Sequence, residues 1–143
     1  MVQPRAISLS FVAEMDEVPR MRHFVELWLR SNHVPEPESS DLVLAASEAI
    51  NNACLHGSPA PRSVHISCSR HGRRIEVGVS DEGEGVSLDP SVSEQAPPPD
   101  GTGGRGLSLI RRLTDQVTIK TTTRGTTVTF VREIVPRQRA RSR

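Results

Sequence analysis

Residues Ile7-Ser8-Leu9-Ser10-Phe11 alternate apolar and polar with a period of two, the mark of a strand with one face buried. The period then changes. Met21, Phe24, Val25 and Trp28 fall at i, i+3, i+4 and i+7, which is one face of a helix. Asp16 is placed to cap its start, Pro19 is tolerated in its first turn, and the helix is expected to fail near Asn32, ahead of Pro35. A second helix is expected from about Pro37 to Gly57, a glycine suited to a left-handed terminator, with Leu42, Ala46, Ala49, Ile50 and Ala53 as its buried stripe. Along one border of that stripe run Glu48, Asn52 and His56, a polar line facing the margin of a cleft. Residues 63–69 and 75–80 alternate again, and His71-Gly72 supplies the turn of an antiparallel hairpin. From Val86 to Thr102 periodicity vanishes while Pro90, Pro97, Pro98 and Pro99 collect, which predicts an irregular, lid-like loop. Leu107, Ile110 and Leu113 mark a short helix, and strands at about 116–122 and 126–131 turn at Arg124-Gly125. Two hairpins interleaved with helices predict the α+β class: a two-layer α/β sandwich with a mixed, mostly antiparallel sheet and helices on one face.

Length and composition narrow the picture. A chain of 143 residues is the size of one domain, and with 35% hydrophobic but only 3% aromatic residues its core must be built from Val, Ile, Leu and Ala. No apolar run approaches the roughly 18 residues of a membrane span, and the first residues lack the apolar stretch of a signal peptide, so the expectation is a cytoplasmic protein with no membrane partner. Cys54 and Cys68 form no paired-ligand spacing, alone or with His65 and His71, and are expected to be reduced thiols. The net charge of +1 hides an asymmetry: Arg132, Arg137, Arg139, Arg141 and Arg143 face the single Glu133, a local +4 that leaves −3 for residues 1–131. No aromatic residue interleaves those arginines. The expected organisation is therefore one domain over residues 1–132 and a disordered, solvated tail over 133–143, without direct nucleic-acid contact.

Two glycine loops carry opposite electrostatic character. Asp81-Glu82-Gly83-Glu84-Gly85 leaves a strand with three carboxylates in five residues, which repel a polyphosphate. A carboxylate there suits an exocyclic amine such as that of adenine, with Gly83 and Gly85 admitting a flat ring close to the backbone; Asp81 is the candidate base reader. Gly101-Thr102-Gly103-Gly104-Arg105-Gly106 holds no acid and runs into the helix at Leu107, so its backbone amides suit a triphosphate. It is not a Walker loop, since no Gly-Lys-Ser/Thr follows. A phosphate site calls for Mg²⁺, to which Asn52 can offer an amide oxygen, while Glu48, one turn earlier, can accept a proton from an attacking hydroxyl or orient a water. His56 fits a supporting or capping role near the helix end better than a metal ligand.

The order of these pieces resembles a known superfamily. Glu48-x-x-x-Asn52 on a helix, Asp81-x-Gly83-x-Gly85 after a strand, the lid-like loop, Gly104-Arg105-Gly106-Leu107 opening a helix, and Gly125-Thr126 before a closing strand are similar to the nucleotide-binding domain shared by gyrase, heat-shock chaperones, histidine kinases and mismatch-repair ATPases. The stretch Ser-Glu-Ala-Ile-Asn-Asn-Ala-Cys-Leu-His-Gly at residues 47–57 and the small size resemble the bacterial anti-sigma-factor serine/threonine kinases, over about residues 8–132. The resemblance implies the Bergerat type of ATP-binding sandwich, with Asn52 on Mg²⁺, Glu48 as catalytic base and Asp81 on the adenine amino group. It further implies that Gly83 and Gly85 shape the base pocket, that Gly103, Gly104, Arg105, Gly106 and Leu107 surround the phosphates, and that Thr126 supports the Asp81 side. Such proteins are homodimers that hold a sigma factor inactive and phosphorylate a serine or threonine on a small antagonist protein. The proline content of the lid, Arg105 inside the loop and the basic tail depart from that pattern.

Two functions of different class follow. One is an ATP-dependent protein serine/threonine kinase serving transcription regulation, favoured by Glu48; the other is a non-catalytic module that holds a nucleotide and sequesters a partner. The catalytic fragment of a histidine kinase is a third, weaker reading, since the expectation is of no room upstream for a two-helix dimerisation unit presenting a phosphoacceptor histidine.

Overall fold

The structure, a computed structural model, describes residues 6–56, 62–81, 104–122 and 125–137. Five strands, β1 (Ala6–Val12), β2 (Ser63–His71), β3 (Arg74–Asp81), β4 (Gln116–Thr122) and β5 (Gly125–Glu133), form one sheet in the order β1-β2-β3-β5-β4. Three helices, α1 (Val18–Ser31), α2 (Glu38–His56) and α3 (Gly104–Leu113), supply the second layer. The expected α+β sandwich is borne out, with one refinement. Every hydrogen-bonded pair is antiparallel, because β5 threads back between β3 and β4 and separates the two strands that run the same way. β3, α3 and β4 thus make a split crossover, with β5 in the gap.

The core lies between the layers. Met21, Val25 and Leu29 of α1 and Leu42, Ala45, Ala46 and Ile50 of α2 are buried against Val64, Ile66, Ile75, Val77 and Phe130 of the sheet. All five residues expected in the α2 stripe are buried, which follows from apolar positions recurring every three or four residues. Phe24, on the α1 face, is half-buried and meets Phe11 of β1 edge-to-face, with centroids 5.9 Å apart. Gly72 turns the β2–β3 hairpin at φ 63°, a conformation that costs glycine little.

Two expectations about segment ends are corrected. Asp16 does not cap α1: it sits within a 3₁₀ turn, Met15–Glu17, and the cap position falls on Glu17, which makes no side-chain cap bond. Pro19 in the first turn lacks an N–H and presets φ, so the helix starts there without a polar cap. At the other end of the chain, the first half of the expected tail is tied down. Ile134 N–H donates to the Arg73 carbonyl, and Val135 N–H and the Arg137 guanidinium both donate to the fully buried carboxylate of Glu38 at 2.8 Å. Burial raises the pKa of Glu38, but these hydrogen bonds and the Arg137 charge outweigh it and hold the carboxyl below its ordinary range. Residues 138–143 lie outside the described residues. Arg132 adds a second tie from β5, reaching Asp41 of α2 at 2.9 Å and the Leu113 carbonyl of α3 at 2.7 Å.

Among the described residues no helix is long and apolar enough to cross a membrane.

Candidate nucleotide-binding site

The helix α2 has a cavity on each side. Toward the sheet and α3, a cavity of about 240 Å³ is lined by Ala49, Asn52 and Ala53 of α2, Val79 and Asp81 of β3, Leu107 of α3, Ile119 of β4, and Thr126 and Val128 of β5. The strands build it by alternation. Val79 and Asp81 share one face of β3, pairing with Val128 and Thr126 of β5, so the apolar floor ends in one half-buried carboxylate beside one hydroxyl. Their neighbours Ser80 and Thr127 face the other way and join hydroxyls at 2.9 Å. Such a site, mostly apolar with few convergent polar groups, suits a flat heterocycle with an amine for Asp81 to accept from.

The structure brings Asn52, Asp81, Leu107 and Thr126 together, as the sequence reading expects. Gly104, Arg105 and Gly106 form the first turn of α3, one turn before Leu107, so the N-terminal end of that helix opens beside the cavity. Gly83, Gly85 and Gly103 lie outside the described residues, as does the whole lid-like loop.

Glu48 is placed differently. It lines a second groove, of about 710 Å³, between α1 and α2, together with Arg22, Glu26, Arg30, Glu36, Ser39, Ser40, Val43, Leu44, Ser47 and Asn51. A four-residue step on a helix turns about 400°, so Glu48 and Asn52 stand about 40° apart around the axis, enough to put them on either side of the ridge. Glu48 therefore lines the groove and not the cavity that holds Asn52 and Asp81.

Arg62, which sequence reasoning missed, closes the end of α2. Its guanidinium donates to the Ala53 and Cys54 carbonyls at 3.2 and 3.3 Å, satisfying two of the acceptors that a helix C-terminus leaves open. Its own carbonyl accepts from Ala13 N–H at 3.0 Å, so one residue joins the end of β1, α2 and the start of β2 beside the cavity. Burial pushes the Cys54 thiol up; Arg62 opposes this and Asp81 adds to it. No spacing signal marks Arg62, since the contact spans a loop. Val79, Ile119 and Val128 were also missed, although their place in the alternation of each strand would have pointed inward.

Mg²⁺ chemistry fits the donors present. Asn52 offers a hard amide oxygen at the cavity wall, and no group of three His, Cys, Asp or Glu residues among the described ones forms a cage of its own. One amide oxygen at the cavity wall suits an ion carried mainly by phosphate oxygens and water.

Comparison with known proteins agrees with this architecture. Among solved structures, the chain is similar to the RsbU and RsbW domains of Rv1364c from Mycobacterium tuberculosis, with a TM-score of 0.70 and 20% identity over 90% of this chain and 32% of that one. It is similar to the SiaB–SiaC complex from Pseudomonas aeruginosa (0.60, 16% identity, 89% of each chain) and to the blue-light activated histidine kinase EL346 of Erythrobacter litoralis (0.54, 21%, 71% and 32%). At these identities the likeness concerns the fold, and the chain spans about a third of the length of the first and third of these proteins. No curated protein matches the sequence. The family model described as Histidine kinase-like ATPase domain matches residues 11–132, nearly the whole described fold, and the chain belongs to that family.

Proposed function

We propose that the chain binds ATP between α2 and the sheet and transfers its γ-phosphoryl group to a serine or threonine of a partner protein, as an anti-sigma-factor kinase that also sequesters a sigma factor. The observation that carries this reading is the division of labour across α2: Asn52 faces the cavity that holds Asp81, and Glu48 faces the open groove. A base for an incoming hydroxyl belongs on the side from which the acceptor arrives, next to the phosphates and outside the nucleotide's own pocket.

In this reading Asp81 accepts from the adenine amine, Val79, Ile119 and Val128 pack on the ring, and Thr126 buttresses the Asp81 side. Gly83 and Gly85 shape that pocket. Gly103 to Leu107 surround the phosphates, with the α3 N-terminus facing them. Asn52 holds Mg²⁺, which when bound offsets phosphate charge. Glu48 takes the proton of the attacking hydroxyl, and positioning supplies the rest. The likeness to the SiaB–SiaC complex is in keeping with a protein partner; a small antagonist protein as acceptor and a homodimer as the working form belong to the same proposal.

The experiment is incubation of the chain with radiolabelled ATP and candidate antagonist proteins, with Glu48→Gln alongside. Label should reach the antagonist with the wild type and fall at least 100-fold with the variant at unchanged ATP affinity. Undiminished transfer by the variant refutes the base. ATP binding without transfer by either chain leaves the non-catalytic sequestering module.

A further inference from the structure

Strand β1 is an edge of the sheet, and among the described residues no strand lies beyond it. It lacks the devices that usually protect an edge: its seven residues, Ala6-Ile7-Ser8-Leu9-Ser10-Phe11-Val12, include no charge, no proline and no glycine. The opposite edge, β4, carries Lys120. Pairing with β2 sets Phe11, Leu9 and Ile7 beside the buried Val64, Ile66 and Cys68, so all three belong to the face that the helices cover. The cover stops short of the edge. Phe11 is half-buried against Phe24 of α1, whereas Leu9 is 47% and Ile7 44% exposed. Leu27, three residues past Phe24 and about 60° further round the helix, is 44% exposed and extends the same apolar strip.

The backbone of that edge is equally ready to pair. Ala13 N–H donates to the Arg62 carbonyl, which continues the β1–β2 register, and bonded pairs alternate with non-bonded ones in an antiparallel ladder. Phe11, Leu9 and Ile7 therefore use their N–H and C=O groups on β2, while Ser8 and Ser10 point theirs out of the sheet. Around Leu9 the sequence is nearly symmetric in kind, with Ser8 and Ser10 on either side, then Ile7 and Phe11, then Ala6 and Val12. A second β1 laid antiparallel, with a two-fold axis at Leu9, matches each feature to its equal. Ser8 and Ser10 exchange backbone hydrogen bonds with the partner's Ser10 and Ser8. Leu9 meets the partner's Leu9, and Ile7 the partner's Phe11, as non-bonded pairs, whose side chains stand closest at a Cα separation of about 4.5 Å. Slipping the register by one residue would set the apolar face of one strand beside the serine face of the other, and slipping it by two shortens the overlap.

We infer that a second copy of this chain pairs along β1, giving a ten-stranded sheet with the two α1 helices on the same face, one on each side of the seam. This deepens the homodimer of the proposed function by assigning its interface, and it rests on no other part of that reading. The interface is isologous, since one strip meets itself. It takes about a dozen residues from each copy, roughly half of the 20–30 a side in a standard interface, so association in the micromolar range is expected. The seam lies on one flank of α1 and the groove that holds Glu48 on the other: Arg22, Glu26 and Arg30 stand about 120–160° around the helix from Phe24. Pairing through β1 therefore leaves the groove and the Asp81 cavity of each copy open.

The test is sedimentation velocity of the full chain without nucleotide, over about a 100-fold range of concentration that spans the micromolar, where a monomer–dimer equilibrium is expected. Ser8→Pro removes an outward N–H and no bond to β2, which an edge strand tolerates, and should weaken the dimer at least tenfold. Leu9→Lys sets two cations against each other at the two-fold axis and should weaken it at least as much. Cross-linking reads the register, and decides the matter should Leu9→Lys not fold. On oxidation Leu9→Cys should give a covalent dimer, because Cα atoms about 4.5 Å apart fall within disulfide range, whereas Ile7→Cys, about 13 Å from its counterpart, should not. The native Cys54 and Cys68 are buried, so the unaltered chain is the blank. A dimer that survives Ser8→Pro and Leu9→Lys, or equal cross-linking of the two cysteine variants, would overturn this interface and leave the homodimer standing. A monomer at every concentration would overturn both, and phosphoryl transfer by that monomer would still uphold the kinase.

Discussion

Replacing Arg137 by Ala removes the cation from a carboxylate that has no access to water. Glu38 is 0% exposed and Arg137 is 44% exposed, and they meet at 2.8 Å. Removing one partner of a fully buried pair costs about 3–5 kcal/mol, and the exposure of the arginine side discounts this to about 2–3 kcal/mol. In a chain of this size that is a fall in Tm of about 6–10 °C, measurable by calorimetry or circular dichroism. The loss should depend on the charge. In a Glu38→Gln background, where the amide oxygen still accepts from Val135 N–H, Arg137→Ala should cost less than about 1 kcal/mol, giving a coupling above about 1 kcal/mol in the double-mutant cycle. The pH dependence has a defined sign. With Arg137 present the folded pKa of Glu38 lies below its ordinary 4.5, so its contribution is complete above that value and is lost as pH falls through the folded pKa. Without Arg137 two of the influences that lower this pKa are gone, so it moves up from its wild-type value and the deficit relative to wild type should shrink as pH is lowered from 7 toward 4. A Tm loss under 2 °C, or the same loss in both backgrounds, would refute the reasoning.

Further outcomes are expected elsewhere. Asp81→Asn should weaken binding of a non-hydrolysable ATP analogue at least tenfold by calorimetric titration, since the amide's donor face opposes the amine; unchanged affinity removes Asp81 from base recognition. Arg62→Ala should cost about 1–2 kcal/mol in urea unfolding and weaken the same analogue several-fold, because the last turn of α2 loses its cap next to Ala53. A Cβ at Gly78 would lie 2.7 Å from the Ser67 hydroxyl, which can rotate away, so Gly78→Ala should cost less than about 1 kcal/mol, and a loss above 2 would mean the strands themselves must part. The Cys68 thiol is buried and pushed up to about 12, so native protein at pH 8 should leave it unlabelled by iodoacetamide, with reaction appearing only on unfolding.

The parts of the fold that were legible are those set by local period. The apolar stripe of α2 and the alternation of β2 and β3 require only neighbours three, four or two residues apart. The placement of β5 between β3 and β4 was not legible, because pairing Asp81 with Thr126 is a choice made across the whole second half of the chain. In the site, Asp81, Asn52 and Thr126 converge as their motif order suggested. Glu48 was grouped with Asn52 because they are four residues apart; the 40° offset that sends it to the other cavity matters only once another helix and a sheet lie on either side. The C-terminal arginines read as solvated by composition, and nothing near them in sequence reveals that a carboxylate at position 38 has been buried to receive one.

The path of β5 also has a kinetic consequence. The β2–β3 and β4–β5 ribbons are local and can form early, whereas the ladder from Asp81–Thr126 to Arg74–Glu133 must close a long stretch of chain, a slow, entropically costly step. That same closure creates the cavity, since Asp81 comes from one ribbon and Thr126 from the other. A half-assembled molecule would thus have no place for a nucleotide, so ligand should slow global unfolding and leave the fraying of either ribbon's free end untouched.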